Sequence, residues 1–174
     1  MRVFVALDLK EEDRLKLEEK FEPLRVECAG IRLTALQNLH VTVRFIGEIE
    51  EKLLKPLILE LSGLAEFHQQ YRLHLAGLTG LPSVSHARVL AVEVNNEEVR
   101  YLAAKIEKIV CGMGFAPEQR NFRAHLTLAR IKNRLSVAGL CRGRFDLDVS
   151  AKPVLFESRL HPQGPEYIKI LGDR

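Results

Sequence analysis

One pattern constrains this chain more than any other. The run His40-Val41-Thr42-Val43 returns near the other end as His125-Leu126-Thr127-Leu128. Both copies alternate apolar and polar residues and are β-prone, so each reads as a strand. In a strand, residues i and i+2 share a face. His40 therefore projects with Thr42, and His125 with Thr127, while Val41, Val43, Leu126 and Leu128 point into a core. A single His-x-Thr on a strand is more often a structural histidine than a catalyst. Two such pairs in matched surroundings call for a further explanation.

The surroundings repeat as well. The two histidines stand 85 positions apart in a chain of 174. Arg2-Val3-Phe4-Val5-Ala6-Leu7-Asp8 has a counterpart in Arg88-Val89-Leu90-Ala91-Val92-Glu93-Val94. An acidic helix opening follows each, at Glu11-Glu12-Asp13-Arg14 and at Glu97-Glu98-Val99-Arg100. The order strand, helix, His-x-Thr strand thus occurs twice at nearly one offset. Two copies are too few for a solenoid. The expected architecture is α+β, a pseudo-twofold duplicated unit with mostly antiparallel sheets flanked by helices. One domain, 1–174, would hold two interleaved lobes from approximate halves 1–86 and 87–174. The His-x-Thr strands would face each other across a cleft between the lobes.

Read in order, residues 2–8 form a buried strand and 11–26 a helix. That helix would carry Leu15, Leu17, Phe21 and Leu24 inward, with Asp8 or a neighbour as its cap. Cys28 to Gly30 turns out of it. A short strand at 31–33 precedes the His40 strand, which Gly47 ends. A second helix spans 51–66 with Pro56 inside it. Tyr71–Leu75 is a strand, with His74 structural or exposed, and Gly77–His86 a loop. A third helix spans 96–111, with Val99, Leu102, Ile106 and Ile109 inward and Gly112 and Gly114 closing it. After the His125 strand, Leu135–Leu140 suits a short helix ended by Gly143. Pro153–Leu160 and Tyr167–Leu171 make a C-terminal hairpin around the turn at 161–165.

Charge adds to the pattern. The net charge is only +3, yet no Asp or Glu occurs from Gln119 to Phe145. Arg120, Arg123, Arg130, Lys132, Arg134, Arg142 and Arg144 fall in that interval, around the second His-x-Thr. Such a block is either a solvated face or a phosphate-binding surface. The three cysteines, Cys28, Cys111 and Cys141, are scattered and show no zinc spacing, which fits a reducing, cytoplasmic setting. The apolar run Val3–Leu7 is too short for a signal peptide or a membrane span. No membrane partner is expected. Without an oligomerisation heptad, a monomer is expected.

Two imidazoles facing one space support paired acid–base work. A neutral one takes a proton from an attacking oxygen, and a protonated one gives a proton to the leaving oxygen. Two Thr hydroxyls can donate to the oxygens of a phosphoryl group held between them. Arg130 would add a charge-assisted bond. By strict alternation it faces away from His125 and Thr127, so it needs a bulge or a strand end to reach in. No metal and no cofactor is called for, since each motif offers one nitrogen ligand and no third ligand stands at metal spacing. The natural reaction is in-line transfer at a phosphodiester, especially a strained cyclic one.

The stretches HVTVRFIGE and HLTLARIK resemble the two motifs of the 2H phosphoesterase superfamily. The opening MRVFVALDL and the tail FESRLHPQGPEYIKI make the whole chain similar to the RNA 2′,3′-cyclic phosphodiesterase family, also called 2′-5′ RNA ligases. The resemblance implies hydrolysis of a 2′,3′-cyclic phosphate at an RNA 3′ end to a 2′-phosphomonoester, with tRNA fragments among the candidate partners. It implies His40 as proton donor to the departing 3′ oxygen and His125 as proton acceptor from water. Thr42 and Thr127 would hold the phosphate, Arg130 would assist, and Phe156 would stack on the terminal base. Phe156 has a second reading, as a core residue of an apolar strand. Run backwards with an RNA 5′-hydroxyl, the site would make a 2′-5′ linkage. Other readings are a phosphodiesterase for small cyclic nucleotides or ADP-ribose cyclic phosphate, and a non-catalytic RNA-binding module. Against the last, aromatic residues are only 6% of the chain, and no aromatic-rich RNA-binding strand stands in it.

Overall fold

The computed structural model describes residues 1–27, 31–142, 145–162 and 164–172. Among the described residues there are three α-helices and eight strands. In chain order they are β1 (Arg2–Leu9), α1 (Glu11–Glu27), β2 (Ile31–Leu33), β3 (His40–Glu48), α2 (Glu51–Ser62), β4 (Tyr71–Leu81), β5 (Ala87–Val94), α3 (Glu97–Gly112), β6 (His125–Leu135), β7 (Asp146–His161) and β8 (Gly164–Leu171). The expected α+β architecture is what forms, and the strand pairings are antiparallel.

The sheet closes on itself. Its path runs β1-β3-β6-β5-β4-β7, and β7 pairs back onto β1. One lobe is built on β1 and β3 and the other on β5 and β6. The long β7 pairs with β4 through Asp146–Ala151 and with β1 through Ala151–Glu157, so it runs from one lobe to the other. β2 lies along β6, and β8 lies on β7.

The closed sheet has two unlike faces. One carries Val3, Val5, Leu7, Val41, Val43, Leu90, Val92, Leu126 and Leu128, all buried in the main core. α2 and α3 cover this face because each has an apolar stripe. α3 buries Val99, Leu102, Ala103, Ile106 and Val110, and α2 buries Leu57 and Leu61. Fully burying one such side chain stabilises the fold by roughly 1.5–3 kcal/mol. On the other face Phe4, Ala6, Val154 and Phe156 form a second, small cluster with Tyr167 packed against it. β1 is thus buried on both sides, which explains its unbroken apolar run.

The strand registers repeat as well, but at the offset of the histidines, one residue short of the match of Arg2–Asp8 with Arg88–Val94 that the sequence suggested. Asp8 pairs with His40 and Ala6 with Thr42; Glu93 pairs with His125 and Ala91 with Thr127. Every residue of the second set stands 85 positions after its equivalent in the first.

Some local expectations are corrected. Leu15 is exposed. The inward position of that turn is taken by Arg14, which spends its charge on Asp8 and on backbone carbonyls. Asp8 therefore binds Arg14 and Lys169 rather than capping α1. α2 stops at Ser62, and a 3₁₀ turn at Ala65–His68 buries Phe67. β4 continues to Leu81 through a bulge at Gly77, whose φ of +73° only glycine adopts easily, so 77–81 is strand and not loop. In α3, Ile109 is half-buried and Val110 takes the inward place. Residues 135–140 are not a helix; β6 ends at Leu135, and a 3₁₀ turn spans Leu140–Arg142. The turn at Cys28–Gly30 and the stop at Gly143 lie outside the described residues.

Candidate active site

β3 and β6 meet through one pair, Val41 opposite Leu126. Both residues are fully buried, so the residues beside them turn to the opposite face. That face carries His40 and Thr42 from one strand and His125 and Thr127 from the other. The structure therefore brings all four predicted residues to one place.

Each imidazole is held in the same way. His40 Nδ1 lies 2.8 Å from the carbonyl oxygen of Asn38, and His125 Nδ1 lies 2.7 Å from that of Arg123. A carbonyl only accepts, so Nδ1 carries the proton in both rings and Nε2 is left for chemistry. His40 Nε2 is 3.0 Å from Thr42 Oγ1, which donates to it when the ring is neutral.

The two histidines differ in surroundings. The His40 ring packs 5.2 Å from Phe4 and 5.2 Å edge-on from Tyr167, with Phe156 at 6.4 Å. Burial pushes its pKa down to about 4, against smaller raising effects of the Asn38 carbonyl and Asp8; Arg14 and His125 lower it further. His40 in the free protein is therefore neutral at pH 7. Beneath it Arg14 donates to the carbonyls of Leu9, Leu36 and Leu39 at 3.2, 2.5 and 2.8 Å and pairs with Asp8. These bonds fix the turn that carries Asn38, and Asn38 Nδ2 donates to the Pro165 carbonyl at 3.0 Å. On the other wall Glu93 pairs with the exposed Arg123 at 3.1 Å.

Arg130 reaches the cleft face, and a bulge is the reason. Ala91 pairs with Thr127 but Leu90 pairs with Ala129, so β6 holds one extra residue there. The slip shifts the alternation by one residue and turns the exposed Arg130 to the side of His125 and Thr127. β3 carries the same bulge at the equivalent place, where Ala6 pairs with Thr42 and Val5 with Arg44. It turns Phe45 to the cleft face, 5.6 Å from Phe4, with 54% of its surface exposed. Arg130 and Phe45 are thus equivalents, one cationic and one aromatic.

Phe156 lies on the cleft face but is only 5% exposed, stacked on Phe4 at 5.3 Å. Little of its ring is left for a base, and it serves instead as floor beneath Phe4 and His40. Sequence reasoning passed over Phe45. The 85-residue offset pairs it with Arg130, and the bulge that Arg130 requires acts on Phe45 too. Arg14 was also missed, because a charged residue in a helix's first turn reads as a solvated one. Among the described residues, no group of three or more His, Cys, Asp or Glu side chains converges where a metal ion could be held.

A closed antiparallel sheet with a His-x-Thr pair on each side of one cleft defines a two-histidine α+β class. Within that class, this chain belongs to the LigT-like phosphoesterase family, whose model matches it twice, over residues 7–91 and 92–167. The chain is 31% identical to the RNA 2′,3′-cyclic phosphodiesterase of Methanocaldococcus jannaschii, over 96% of each chain. It is 35% identical to the Aeropyrum pernix protein of the same name, over 75% of this chain and 78% of the other. Among solved structures it is similar to TT0787 of Thermus thermophilus, with TM-score 0.79 and 28% identity over 98% of this chain and 96% of that one. It also shares its fold with E. coli LigT complexed with 3′-AMP, with TM-score 0.76 and 22% identity over 98% and 95%.

Proposed function

We propose that this chain hydrolyses 2′,3′-cyclic phosphate ends of RNA to 2′-phosphomonoesters. The observation that carries the reading is the pair of imidazoles, each with Nδ1 tied to a carbonyl and Nε2 turned to the face that holds Thr42, Thr127 and Arg130, His40 Nε2 being bonded there to Thr42 Oγ1. The names of its relatives support the substrate class. The twofold match of the family model and the shared offset of the two strand pairs support an origin by duplication within one domain.

In the reaction, water attacks phosphorus and the bond to O3′ breaks. His125 Nε2 takes the proton of the water, and His40 Nε2 delivers one to O3′. Thr42, Thr127 and Arg130 hold the non-bridging oxygens, whose charge grows in the transition state. A neutral His40 cannot act as the acid. The bound anion supplies the remedy, because a negative charge beside Nε2 favours the imidazolium. His40 thus gains its proton together with the substrate. Thr42, whose hydroxyl is bonded to the free imidazole, is then released toward phosphate. Proton transfer of this kind is worth about 10²–10⁴ in rate per group.

The exposed ring of Phe45, on the His40 side, is placed to stack on the terminal base. Such stacking tolerates any base. The test is product identity: a short RNA ending in a 2′,3′-cyclic phosphate, incubated with the protein and EDTA, yields a 2′-phosphate. A 3′-phosphate would reverse the assignment of leaving oxygen, and dependence on added metal would contradict the His-only chemistry.

A further inference from the structure

The basic block around the second His-x-Thr divides once folded. Arg120 pairs with Glu118 at 3.0 Å and Arg123 with Glu93 at 3.1 Å, so their charge is met locally. Arg130, Lys132 and Arg134 are exposed on β6, and among the described residues no carboxylate pairs with them. Arg142 stands apart in a 3₁₀ turn, and Arg144 lies outside the described residues. We propose that Arg130, Lys132 and Arg134 form a track for the backbone phosphates of an RNA strand. The track lies on the 5′ side of the nucleotide whose cyclic phosphate sits between the two histidines. The substrate is then a polynucleotide rather than a free cyclic mononucleotide. This rests on the hydrolytic reading above.

The strand itself lines up the three cations. The bulge in β6 turns Arg130 to the cleft face. Ile131 is buried in the main core, and Leu135 packs against that core opposite the buried Ala87. Lys132 and Arg134 alternate with these residues and so stand on the side of Arg130. Neighbours in the row are two strand steps apart, about 7 Å. That is close to one nucleotide of an extended chain, so each cation can meet one phosphate. β2 and β6 contain no Asp or Glu, and Arg32 of β2 stands opposite Arg130 in register.

The crossing of β3 and β6 gives the track its direction. Val41 pairs with Leu126 in antiparallel sense, so β6 beyond Thr127 runs off on the His40 side. There it meets the approach to β3, with the Thr34 N–H donating to the Leu128 carbonyl at 2.8 Å. In the reaction O3′ departs beside His40. The terminal ribose therefore lies on that side, and its O5′ carries the rest of the RNA over Arg130, Lys132 and Arg134. A free cyclic mononucleotide ends at that O5′ and leaves Lys132 and Arg134 without a ligand. Unpaired cations in a row repel one another. A bound polyanion offsets the repulsion and gives up its own counterions.

The test compares two substrates that share one cyclic end. Uridine 2′,3′-cyclic phosphate and a short RNA ending in that nucleotide are hydrolysed by the wild type and by the double variant Lys132→Ala/Arg134→Ala as salt is raised. Each phosphate neutralised on a single strand contributes about 0.7 to the slope of log affinity against log salt, so the variant should lose about 1.4 from the slope of kcat/KM on RNA. Over an about fourfold rise in salt, the wild type should therefore fall about sevenfold further than the variant. The mononucleotide reaches neither residue, so its kcat/KM should be the same for both proteins. Equal slopes on RNA overturn the track, as does a loss in the variant that is equally large for the mononucleotide. Hydrolysis of neither substrate by the wild type would instead strike the catalytic reading, and the track with it.

Discussion

Val41 of β3 and Leu126 of β6 face each other across the one pairing that joins these strands. Continuing its antiparallel register by one residue sets His40 beside Thr127 and Thr42 beside His125. The ring of His40 bonds the threonine of its own motif, Thr42, at 3.0 Å, and a phosphoryl group set over this crossing would lie between two imidazoles and two hydroxyls. The crossing depends on close approach of two fully buried apolar residues. Leu126→Ala should cost about 2–5 kcal/mol of stability by opening a cavity there. It should also lower turnover beyond what unfolding explains, which kcat measured well below the melting transition would show. Full activity in a destabilised variant would detach the crossing from function.

The depressed pKa of His40 makes stability depend on pH. The native ring holds off its proton until about pH 4, while the unfolded chain takes one near 6.5. Between these values the unfolded state binds more protons, so stability falls as pH drops from 6.5 to 4 and is complete above 6.5. The shift corresponds to about 3 kcal/mol. Urea titrations across this window should show that loss for the wild type and a smaller slope for His40→Gln. Equal slopes would place the His40 ring in water.

Binding of an anion should reverse that depression. Calorimetry of a phosphate-bearing product at pH 7, in buffers of different ionisation heat, should report uptake of about one proton per site. His40→Gln should remove the uptake. No uptake in the wild type would mean that His40 stays neutral and acts as the base, exchanging roles with His125.

Much of this was legible in the chain. Period-two alternation around His40 and His125 gave strands and faces, and the common offset gave the duplicated order of elements. Alternation cannot report a bulge, because one extra residue moves all later side chains to the other face. Arg130 was therefore uncertain in direction and Phe45 went unseen. Phe156 stands in a run apolar on both faces, so the sequence could not say that Phe4 and Tyr167 would cover it. Arg14 shows the same limit: hydropathy predicts exposure, but a ring of carbonyls and a carboxylate satisfies a buried guanidinium.

Phe45 and Phe156 should separate cleanly by substitution. Phe45→Ala removes an exposed ring, so the melting temperature should hardly move, while KM for a cyclic-phosphate RNA should rise about 5- to 150-fold, the value of roughly 1–3 kcal/mol of stacking. Phe156→Ala removes floor and should cost about 3–5 kcal/mol of stability. Thermal melts and steady-state kinetics on both variants decide it, and an unchanged KM for Phe45→Ala would leave the terminal base without this platform.

The most direct measurement compares wild type, His40→Ala and His125→Ala on one RNA ending in a 2′,3′-cyclic phosphate, in EDTA, with the product identified and single-turnover rates recorded. The account predicts a 2′-phosphate from the wild type and a loss of about 10²-fold or more in each variant. Turnover at the wild-type rate by either variant would contradict paired histidine catalysis in this cleft.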